Sequence, residues 1–307
     1  MQRFHHKNFA DVRRLLDLKQ AAGQQVTVCI PTLNEAETIG AIVRRIRTDL
    51  VGNVALVDEI LVVDSGSTDA TAEIAAAEGA VVFASAAIAP QSGTYTGKGE
   101  NLWKALHVAR GSILCFIDGD IMNFHSGFVP GLVGPLLENA GIDYVKAFYE
   151  RPLAFGDAPH ATGGGRVSEI LVRPFISLFY PELVEFLQPL AGEYAARRGL
   201  LESLSFPVGY GVEIAHLIDL ARDGGLGRIA QVDLEKRIHR NRDDGDLGDT
   251  AFAILRVILR RLERDGRLTL AGELPEIHQR WLIDENGIER ITRHLPEPER
   301  PPLADSR

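Results

Sequence analysis

The stretch "SILCFIDGDI" (112–121) runs from an apolar segment directly into two carboxylates. Its residues 113–117 are apolar without a break, which is typical of a strand buried on both faces of a sheet. Asp118 and Asp120 follow where that strand ends. Two carboxylates at the edge of a core repel each other and lose hydration unless a cation lies between them. A divalent metal ion is the obvious candidate, although a D-x-D pair also occurs by chance or as a cap.

The sequence around this strand alternates between apolar runs and helix-like segments. Strands are predicted at 26–31, 59–64 and 80–85, and helices at 35–50, within 65–79 and at 97–111. This alternation predicts an α/β fold with a Rossmann-like, mostly parallel sheet and helices on both faces. Ligands of such sheets bind at the carboxyl ends of the strands. Asn34-Glu35 and Asp64-Ser65 lie at two further strand ends, so we expect all these polar groups to line one pocket.

The second half of the chain is less regular, but no linker separates it from the first. Strands are predicted at 144–151 and 228–241, and helices after the glycine loop at 163–165, at 192–204 and at 211–225. We therefore expect one continuous domain with an N-terminal extension (1–25), two halves (26–143 and 144–294) and a flexible, proline-rich tail (295–307). The amphipathic segment 251–264 favours a core or dimer-interface helix over a membrane-surface helix.

Composition narrows the class of protein. The 307 residues are 45% hydrophobic and 24% charged, and the net charge of −9 argues against a general nucleic-acid binder. No apolar window approaches the roughly 18 residues of a membrane span, and the charged N-terminus lacks the apolar core of a signal peptide. Cys29 and Cys115 lie in strand-like runs, which favours reduced core residues of a cytoplasmic protein.

Two common phosphate-binding motifs are missing. "IPTLNE" (30–35) follows the first strand without any glycine, so it is no dinucleotide fingerprint, and "GTYTGKGE" (93–100) has the wrong spacing for a P-loop. A phosphate ligand would therefore be neutralised by another group, and Mg²⁺ or Mn²⁺ on Asp118 and Asp120 is the candidate.

The motifs together carry a family resemblance. "IPTLNEAETI", "VVDSGSTDAT", "GKGENLW" and "FIDGDI" resemble the nucleotide-sugar half of a GT-A glycosyltransferase. "GGGRVSEILVRP", "LQPLAGEYAARR", "PVGYGVEI" and "IHRN" are more restrictive. They resemble the glucosyl-3-phosphoglycerate and mannosyl-3-phosphoglycerate synthase family of retaining GT-A enzymes, over about residues 26–242.

The resemblance implies a role for each matching residue. It implies that Asp118 faces the donor sugar, that Asp120 and His239 bind the divalent metal, and that Glu213 lies beside the sugar as a second catalytic carboxylate. The other implied donor-binding residues are Pro31, Thr32, Leu33, Glu35, Ser65, Lys98 and Leu190. The implied acceptor-binding residues are Gly165, Arg166, Ser168 and Asn241. Local chemistry agrees for Lys98, whose flanking glycines would let its backbone approach a ligand closely.

Each of these positions has a plainer interpretation. Glu35 is also explained as a first-turn helix residue favoured by the helix dipole. Glu213 is also explained as a residue that caps or solvates its helix, Lys98 as an exposed lysine and His239 as a surface or structural histidine. The loop at 163–166 is also explained as a flexible glycine loop carrying a surface arginine. On the resemblance, we expect transfer of glucose from a nucleoside diphosphate, with UDP-glucose favoured, to the 2-hydroxyl of 3-phosphoglycerate by a homodimer. GDP-mannose as donor, or a nucleotide-sugar-binding protein without turnover, are the alternatives.

Overall fold

The computed structural model describes residues 1–150, 153–155, 158–160, 165–238, 244–285 and 287–306. The strands in this part of the chain are β1 (Gln2–His5), β2 (Val26–Thr32), β3 (Glu59–Asp64), β4 (Val81–Ala84), β5 (Ile113–Phe116), β6 (Tyr144–Glu150), β7 (Leu153–Phe155), β8 (Ala158–His160), β9 (Tyr194–Arg197), β10 (Phe206–Pro207), β11 (Ile229–Lys236), β12 (Ile277–Asp284), β13 (Gly287–His294) and β14 (Glu299–Arg300). The α-helices are α1 (Val12–Ala21), α2 (Ile39–Ile46), α3 (Thr71–Ala77), α4 (Lys98–Val108), α5 (Phe128–Glu138), α6 (Arg173–Phe179), α7 (Arg198–Glu202), α8 (Val212–Arg222) and α9 (Asp244–Arg264).

Eight strands form the main sheet in the order β1-β11-β6-β9-β5-β2-β3-β4. Every neighbouring pair in it is parallel except the two that involve β9. Alternate side chains of β2 enter different cores, because Val28 and Ile30 pack with α2 and α5 whereas Cys29 packs with α4 and α8. The predicted α/β fold with a mostly parallel sheet and helices on both faces is therefore confirmed.

The prediction of a helix at 192–204 is wrong in its first half. Residues 194–197 form β9, which pairs antiparallel with both β5 and β6, and only Arg198–Glu202 is helical. Tyr194, Ala195 and Ala196 are fully buried in the middle of the sheet. Their alanine-rich sequence favours a helix locally. The backbone instead forms a strand because it hydrogen-bonds to the free edges of β5 and β6 on either side.

The prediction of a flexible tail is also wrong. Glu299–Arg300 pairs with β10, and the Arg300 guanidinium donates to both Glu100 carboxylate oxygens at 2.7 Å. The Trp103 indole donates to the Pro301 carbonyl at 3.0 Å. The tail therefore covers the outer side of α4. The N-terminal extension is likewise part of the sheet, since β1 is its edge strand beside β11.

Most of the remaining predicted elements are confirmed with small changes at their ends. The helix predicted at 35–50 begins at Ile39 and continues as a π-helical turn, Arg47–Gly52. The segment 251–264 lies inside α9, whose Ile254, Ile258 and Leu262 join the core with α8, so the core interpretation is confirmed.

None of the helices in the described ranges combines the length and apolar character that crossing a bilayer demands.

Candidate active site

The carboxyl edge of the sheet collects polar groups from six strands. Parallel strands β2, β3, β5, β6 and β11 all end there, and antiparallel β9 begins there. Thr32 at the end of β2 is buried, and its hydroxyl donates to Asp64 at the end of β3 at 3.0 Å. The Ser65 amide donates to the Thr32 carbonyl at 3.0 Å. The expected convergence of strand ends is therefore present.

Arg237 binds the D-x-D pair directly. One of its terminal nitrogens donates to Asp118 Oδ2 at 2.9 Å and to Asp120 Oδ1 at 2.7 Å. The arginine side chain is only 3% exposed, because it follows β11 into the sheet edge. Burial disfavours its charge, but the neighbouring carboxylates, Glu193 first, outweigh burial and raise the pKa of Arg237 above its ordinary value. The repulsion between the two aspartates is thus relieved by an arginine in this structure.

Lys98 links the D-x-D pair to α8. Its ammonium lies 2.5 Å from Asp118 Oδ1 and 2.9 Å from Glu213 Oε1. Burial lowers the pKa of Lys98, but Asp118 and Glu213 overcome that effect and raise it. Lys98 is therefore a fixed cation between two carboxylates, and the exposed-lysine interpretation is wrong. Glu213 is buried in this ion pair, so it is more than a helix-capping residue.

Glu193 and Tyr149 complete the network, and sequence reasoning missed both, as it missed Arg237. Glu193 is fully buried at the start of β9, with Oε1 2.7 Å from Arg237 Nε. The Tyr149 hydroxyl donates to Glu193 Oε2 at 2.6 Å. Glu193 and Arg237 lie inside or beside the quoted motifs "LQPLAGEYAARR" and "IHRN". An isolated pattern gives no sign that these two distant charges meet, because their contact depends on the antiparallel direction of β9.

The loop after β2 lies against the glycine of the D-x-D pair. A Cβ at Gly119 would lie 3.1 Å from the Thr32 methyl and 3.3 Å from both the Pro31 carbonyl and Glu35 Cγ. The Thr38 hydroxyl donates to the Gly119 carbonyl at 2.5 Å. Leu33 is 46% exposed at the tip of this loop. The predicted donor-binding loop is therefore adjacent to the predicted metal-binding carboxylates.

The glycines on either side of Lys98 serve a purpose other than the predicted one. A Cβ at Gly97 would lie 2.3 Å from the Val208 carbonyl, and one at Gly99 would lie 1.8 Å from the Pro207 carbonyl. The Gly99 amide donates to the Gly209 carbonyl at 3.2 Å. Close backbone approach to residues 207–209, rather than to a ligand, explains both glycines.

Leu190 begins a segment that lines the same network. A Cβ at Gly192 would lie 2.2 Å from Lys98 Nζ and 2.3 Å from Asp118 Oδ2, so a side chain there would displace the ion pair. The buried Lys146 ammonium donates to the Ala191 carbonyl at 2.7 Å. Burial lowers the pKa of Lys146 to about 8. The segment 190–193 therefore contacts Lys98 at Gly192 and Lys146 at the Ala191 carbonyl.

The predicted acceptor residues that the structure describes lie at the start of a helical segment. Gly165 has a φ of +85°, and a Cβ placed on it would lie 3.9 Å from the Ser168 hydroxyl. Ser168 is buried and begins the π-helical turn Ser168–Val172, which leads into α6. Arg166 stands between them. Two further predicted residues, His239 and Asn241, lie outside the described residues.

The described part of the metal site fits a divalent cation. The Asp120 side chain is 21% exposed, and among the described residues only Arg237 contacts it, through Oδ1. Carboxylate oxygens such as those of Asp120 are ligands of the kind that Mg²⁺ and Mn²⁺ prefer. Among the residues that the structure describes here, the four carboxylates Asp118, Asp120, Glu193 and Glu213 outnumber the three cations Lys98, Lys146 and Arg237.

Comparison with known proteins agrees with this site. Residues 27–179 match the model of glycosyl transferase family 2. A glucosyl-3-phosphoglycerate synthase of Petrotoga mobilis is 48% identical over 300 residues, covering 98% of this chain and 92% of that protein. The chain belongs to the glucosyl-3-phosphoglycerate synthase family. Among solved structures of this family, the Mycobacterium tuberculosis synthase with Mn²⁺, UDP and phosphoglyceric acid has a TM-score of 0.84 at 40% identity, covering 96% of this chain and 95% of that one.

A mannosyl-3-phosphoglycerate synthase from Rubrobacter xylanophilus is also similar. Its TM-score is 0.91 at 36% identity, covering 99% of this chain and 97% of that one. The predicted GT-A type fold is confirmed by these matches, as is the predicted membership of this synthase family.

Proposed function

We propose that this chain is a retaining glycosyltransferase that moves glucose from UDP-glucose to the 2-hydroxyl of 3-phosphoglycerate. The observation that carries the proposal is the 48% identity, along 98% of the chain, to a glucosyl-3-phosphoglycerate synthase. The site supports it, because Lys98, Asp118 and Glu213 form one ion-paired group beside the loop after β2.

Asp120 and His239 hold the divalent metal in this proposal. Mg²⁺ or Mn²⁺ supplies a Lewis acid that stabilises negative charge on the leaving diphosphate. The Mycobacterium tuberculosis relatives were solved with Mn²⁺ or Mg²⁺ together with UDP, which supports either ion. Arg237 turns its guanidinium from Asp120 toward the phosphate oxygens, for which its planar fork is suited.

The remaining residues orient the reacting groups. Asp118 and Glu213 accept hydrogen bonds from sugar hydroxyls and stabilise positive charge that develops at the anomeric carbon. Pro31, Thr32, Leu33, Glu35 and Ser65 line the nucleoside side. Arg166, Gly165, Ser168 and Asn241 bind the phosphate and carboxylate of the acceptor, since an arginine and free amides at a helix start favour anions. Attack then occurs on the same face from which the diphosphate leaves, and a phosphate oxygen takes the acceptor proton.

GDP-mannose is the alternative donor, because the Rubrobacter xylanophilus relative with the TM-score of 0.91 is a mannosyl-3-phosphoglycerate synthase. A matrix of UDP-glucose, GDP-glucose and GDP-mannose against 3-phosphoglycerate and 2-phosphoglycerate, with Mg²⁺ or Mn²⁺, decides between them. We expect glucosyl transfer to 3-phosphoglycerate alone, lost in chelator and in Asp120→Asn. Proton NMR of the anomeric signal should give an α-linked product. Donor hydrolysis without transfer, or a β-linked product, would contradict the proposal.

The acceptor assignment has its own test. We expect Arg166→Ala to raise the KM for 3-phosphoglycerate roughly tenfold to 150-fold, because a charge-assisted bond of about 1.5–3 kcal/mol is lost. The KM for the donor should change little, and Arg166→Lys should recover part of the loss because a lysine lacks the planar fork. Arg173→Ala is the matched control, since that arginine pairs with Glu169 in the preceding π-helical turn and donates to the Phe186 carbonyl. A selective rise in the donor KM would place Arg166 at the other substrate.

We further propose that the protein is a cytoplasmic homodimer. The hairpin of β12 and β13 lies outside the main sheet and exposes Trp281, Ile283 and Ile288 to between 65% and 75%. The hairpin packs on α9 through His278, which stacks on Phe252, but these three apolar side chains remain exposed, and a second copy of this chain covering them accounts for that surface. Cys29 and Cys115 are buried as free thiols, in keeping with a reducing compartment.

A further inference from the structure

A cluster of histidines joins the edge strand β1 to the end of β11, and none of its members is one of the proposed donor or acceptor residues. His5 ends β1, and His6 begins the 3-10 turn that follows it. A bulge between Asp233 and Lys236 interrupts the pairing of β11, and Glu235 within it has a φ of +68°. Bulges turn a side chain out of the regular alternation and recur at functional sites. The bulge here brings Glu235 to both histidines.

The ligand atoms of these three residues have the spacing of a metal site. His5 Nε2 and His6 Nε2 each lie 3.6 Å from Glu235 Oε1, and all three atoms lie within 4.8 Å of one another. Two ligand atoms about 2.0–2.1 Å from a tetrahedral zinc ion lie roughly 3.3–3.4 Å apart. Small side-chain shifts therefore suffice to close the three atoms around one ion.

His6 has a buried ring nitrogen that can bind a metal ion. His6 Nε2 is inaccessible to solvent and has no hydrogen-bond partner in the described part of the chain. Burial lowers the pKa of His6, which favours the neutral imidazole that metals bind. The His125 ring lies 5.0 Å from it, and a Cβ at Gly127 would lie 2.7 Å from His6 Nδ1, so the surroundings hold the ring in place. A buried polar atom without a partner is costly unless something binds it.

A cation already occupies part of the cluster. The Lys7 ammonium pairs with Glu235 Oε1, and its side chain is 68% exposed, so it withdraws into solvent at little cost. His5 Nδ1 accepts from the Lys7 amide at 3.2 Å, and coordination through Nε2 requires the other tautomer and gives up that bond. A bond of this kind is worth about 1 kcal/mol, which is small against metal–imidazole coordination.

We propose that His5, His6 and Glu235 form a second metal site, selective for a borderline ion such as Zn²⁺. Two imidazoles and one carboxylate suit Zn²⁺, Co²⁺ or Ni²⁺, whereas Mg²⁺ prefers oxygen ligands. A bound ion would tie the N-terminal strand to the bulge two residues before Arg237, with water completing its coordination. The site is independent of the proposed reaction, so either proposal can fail alone.

Competition titration of Zn²⁺ against a chromophoric chelator tests the site on full-length protein without a histidine tag. We expect His5→Gln, His6→Asn and Glu235→Gln each to weaken this zinc site at least about tenfold, as loss of a ligand does at other sites. His5→Gln and Glu235→Gln change partly exposed side chains, which keeps the test valid if His6→Asn misfolds. Lys7→Met should tighten binding about two- to fivefold by removing the competing cation.

Two controls separate this site from other zinc ligands. Asp120→Asn should retain the site, because Asp120 is not one of its three ligands. His294→Gln should also retain it, because His294 pairs on the surface with Glu276, which is not part of this site. Zinc affinity that disappears in Asp120→Asn, or that survives unchanged in both His5→Gln and Glu235→Gln, would overturn the proposal.

Discussion

At the scale of single residues, Arg237 compensates the negative charge of three neighbouring carboxylates in the structure without substrate. It pairs with Asp118, Asp120 and Glu193 while its side chain is 3% exposed. Removing one member of a buried ion pair leaves the opposite charge without a partner. The resulting loss in the free energy of unfolding is larger than the net stabilisation that the pair provides. Arg237 therefore contributes to stability as well as to the proposed phosphate contact.

We expect Arg237→Met to lower the free energy of unfolding by about 3–5 kcal/mol, because the fully buried Glu193 carboxylate loses its cation. Arg237→Lys should lose clearly less, since it keeps the charge but not the fork. Urea unfolding at pH 7 measures both. Arg228→Met is the control: Arg228 is 59% exposed and pairs with Asp143, so a much smaller loss is expected. Equal losses at positions 228 and 237 would refute the burial argument.

His216 makes the fold sensitive to acid. It is fully buried against Phe206, and burial lowers its pKa to about 3. The unfolded chain binds a proton near pH 6.5 that the folded protein binds only near pH 3, so stability falls as pH decreases through that window. Between pH 7 and pH 5 this residue should cost about 2 kcal/mol.

His216→Phe should remove that share of the acid sensitivity. The measurement is urea unfolding of both proteins at pH 7 and pH 5, with the difference between the two pH values compared rather than the absolute stability. His294→Gln, at a position 66% exposed, is the control, and it should change the pH dependence less than His216→Phe does. Identical pH dependence in His216→Phe and wild type would show that His216 takes up its proton in the folded state.

At the scale of elements, the sequence pattern predicted those strands whose own residues favour a buried strand. The apolar runs of β2, β3 and β5 are long enough to be recognised without knowing their neighbours. The D-x-D pair was recognisable for the same reason. β9 and the contact of Glu193 with Arg237 were not, because alanine and arginine are good helix formers and only the neighbouring strands decide otherwise. The tail was misjudged because its prolines hide a strand that pairs with distant β10.

The tail strand gives a test at this scale. Arg300 is 7% exposed and pairs with Glu100, which is fully buried, so we expect Arg300→Ala to destabilise the fold by about 3–5 kcal/mol. Thermal unfolding measures this loss. Arg290→Ala on the exposed face of β13 should stay within about 0.5 kcal/mol of wild type. A mild effect at position 300 would mean that Glu100 finds another partner.

At the scale of the whole molecule, substitutions in the hairpin of β12 and β13 test the proposed homodimer. Trp281→Ser with Ile283→Ser should shift the species seen by multi-angle light scattering from dimer to monomer, since buried apolar area drives association. Val81→Ser, which changes an apolar side chain of 46% exposure on the edge strand β4, is the control and should remain dimeric. A wild-type protein that is monomeric, or a double variant that stays dimeric, would exclude the hairpin as the contact.

The antiparallel strand β9 also governs the order in which the protein can be made. During synthesis β5 and β6 emerge early, yet each has an open edge until residues 194–197 leave the ribosome and fill the gap between them. Open strand edges are prone to aggregate. Gly192 and Glu193, which contact Lys98, Asp118 and Arg237, arrive at the same moment. A nascent chain therefore closes the gap between β5 and β6 when β9 emerges, whereas the other edge of β6 is covered only when β11 follows and carries Arg237 to Glu193.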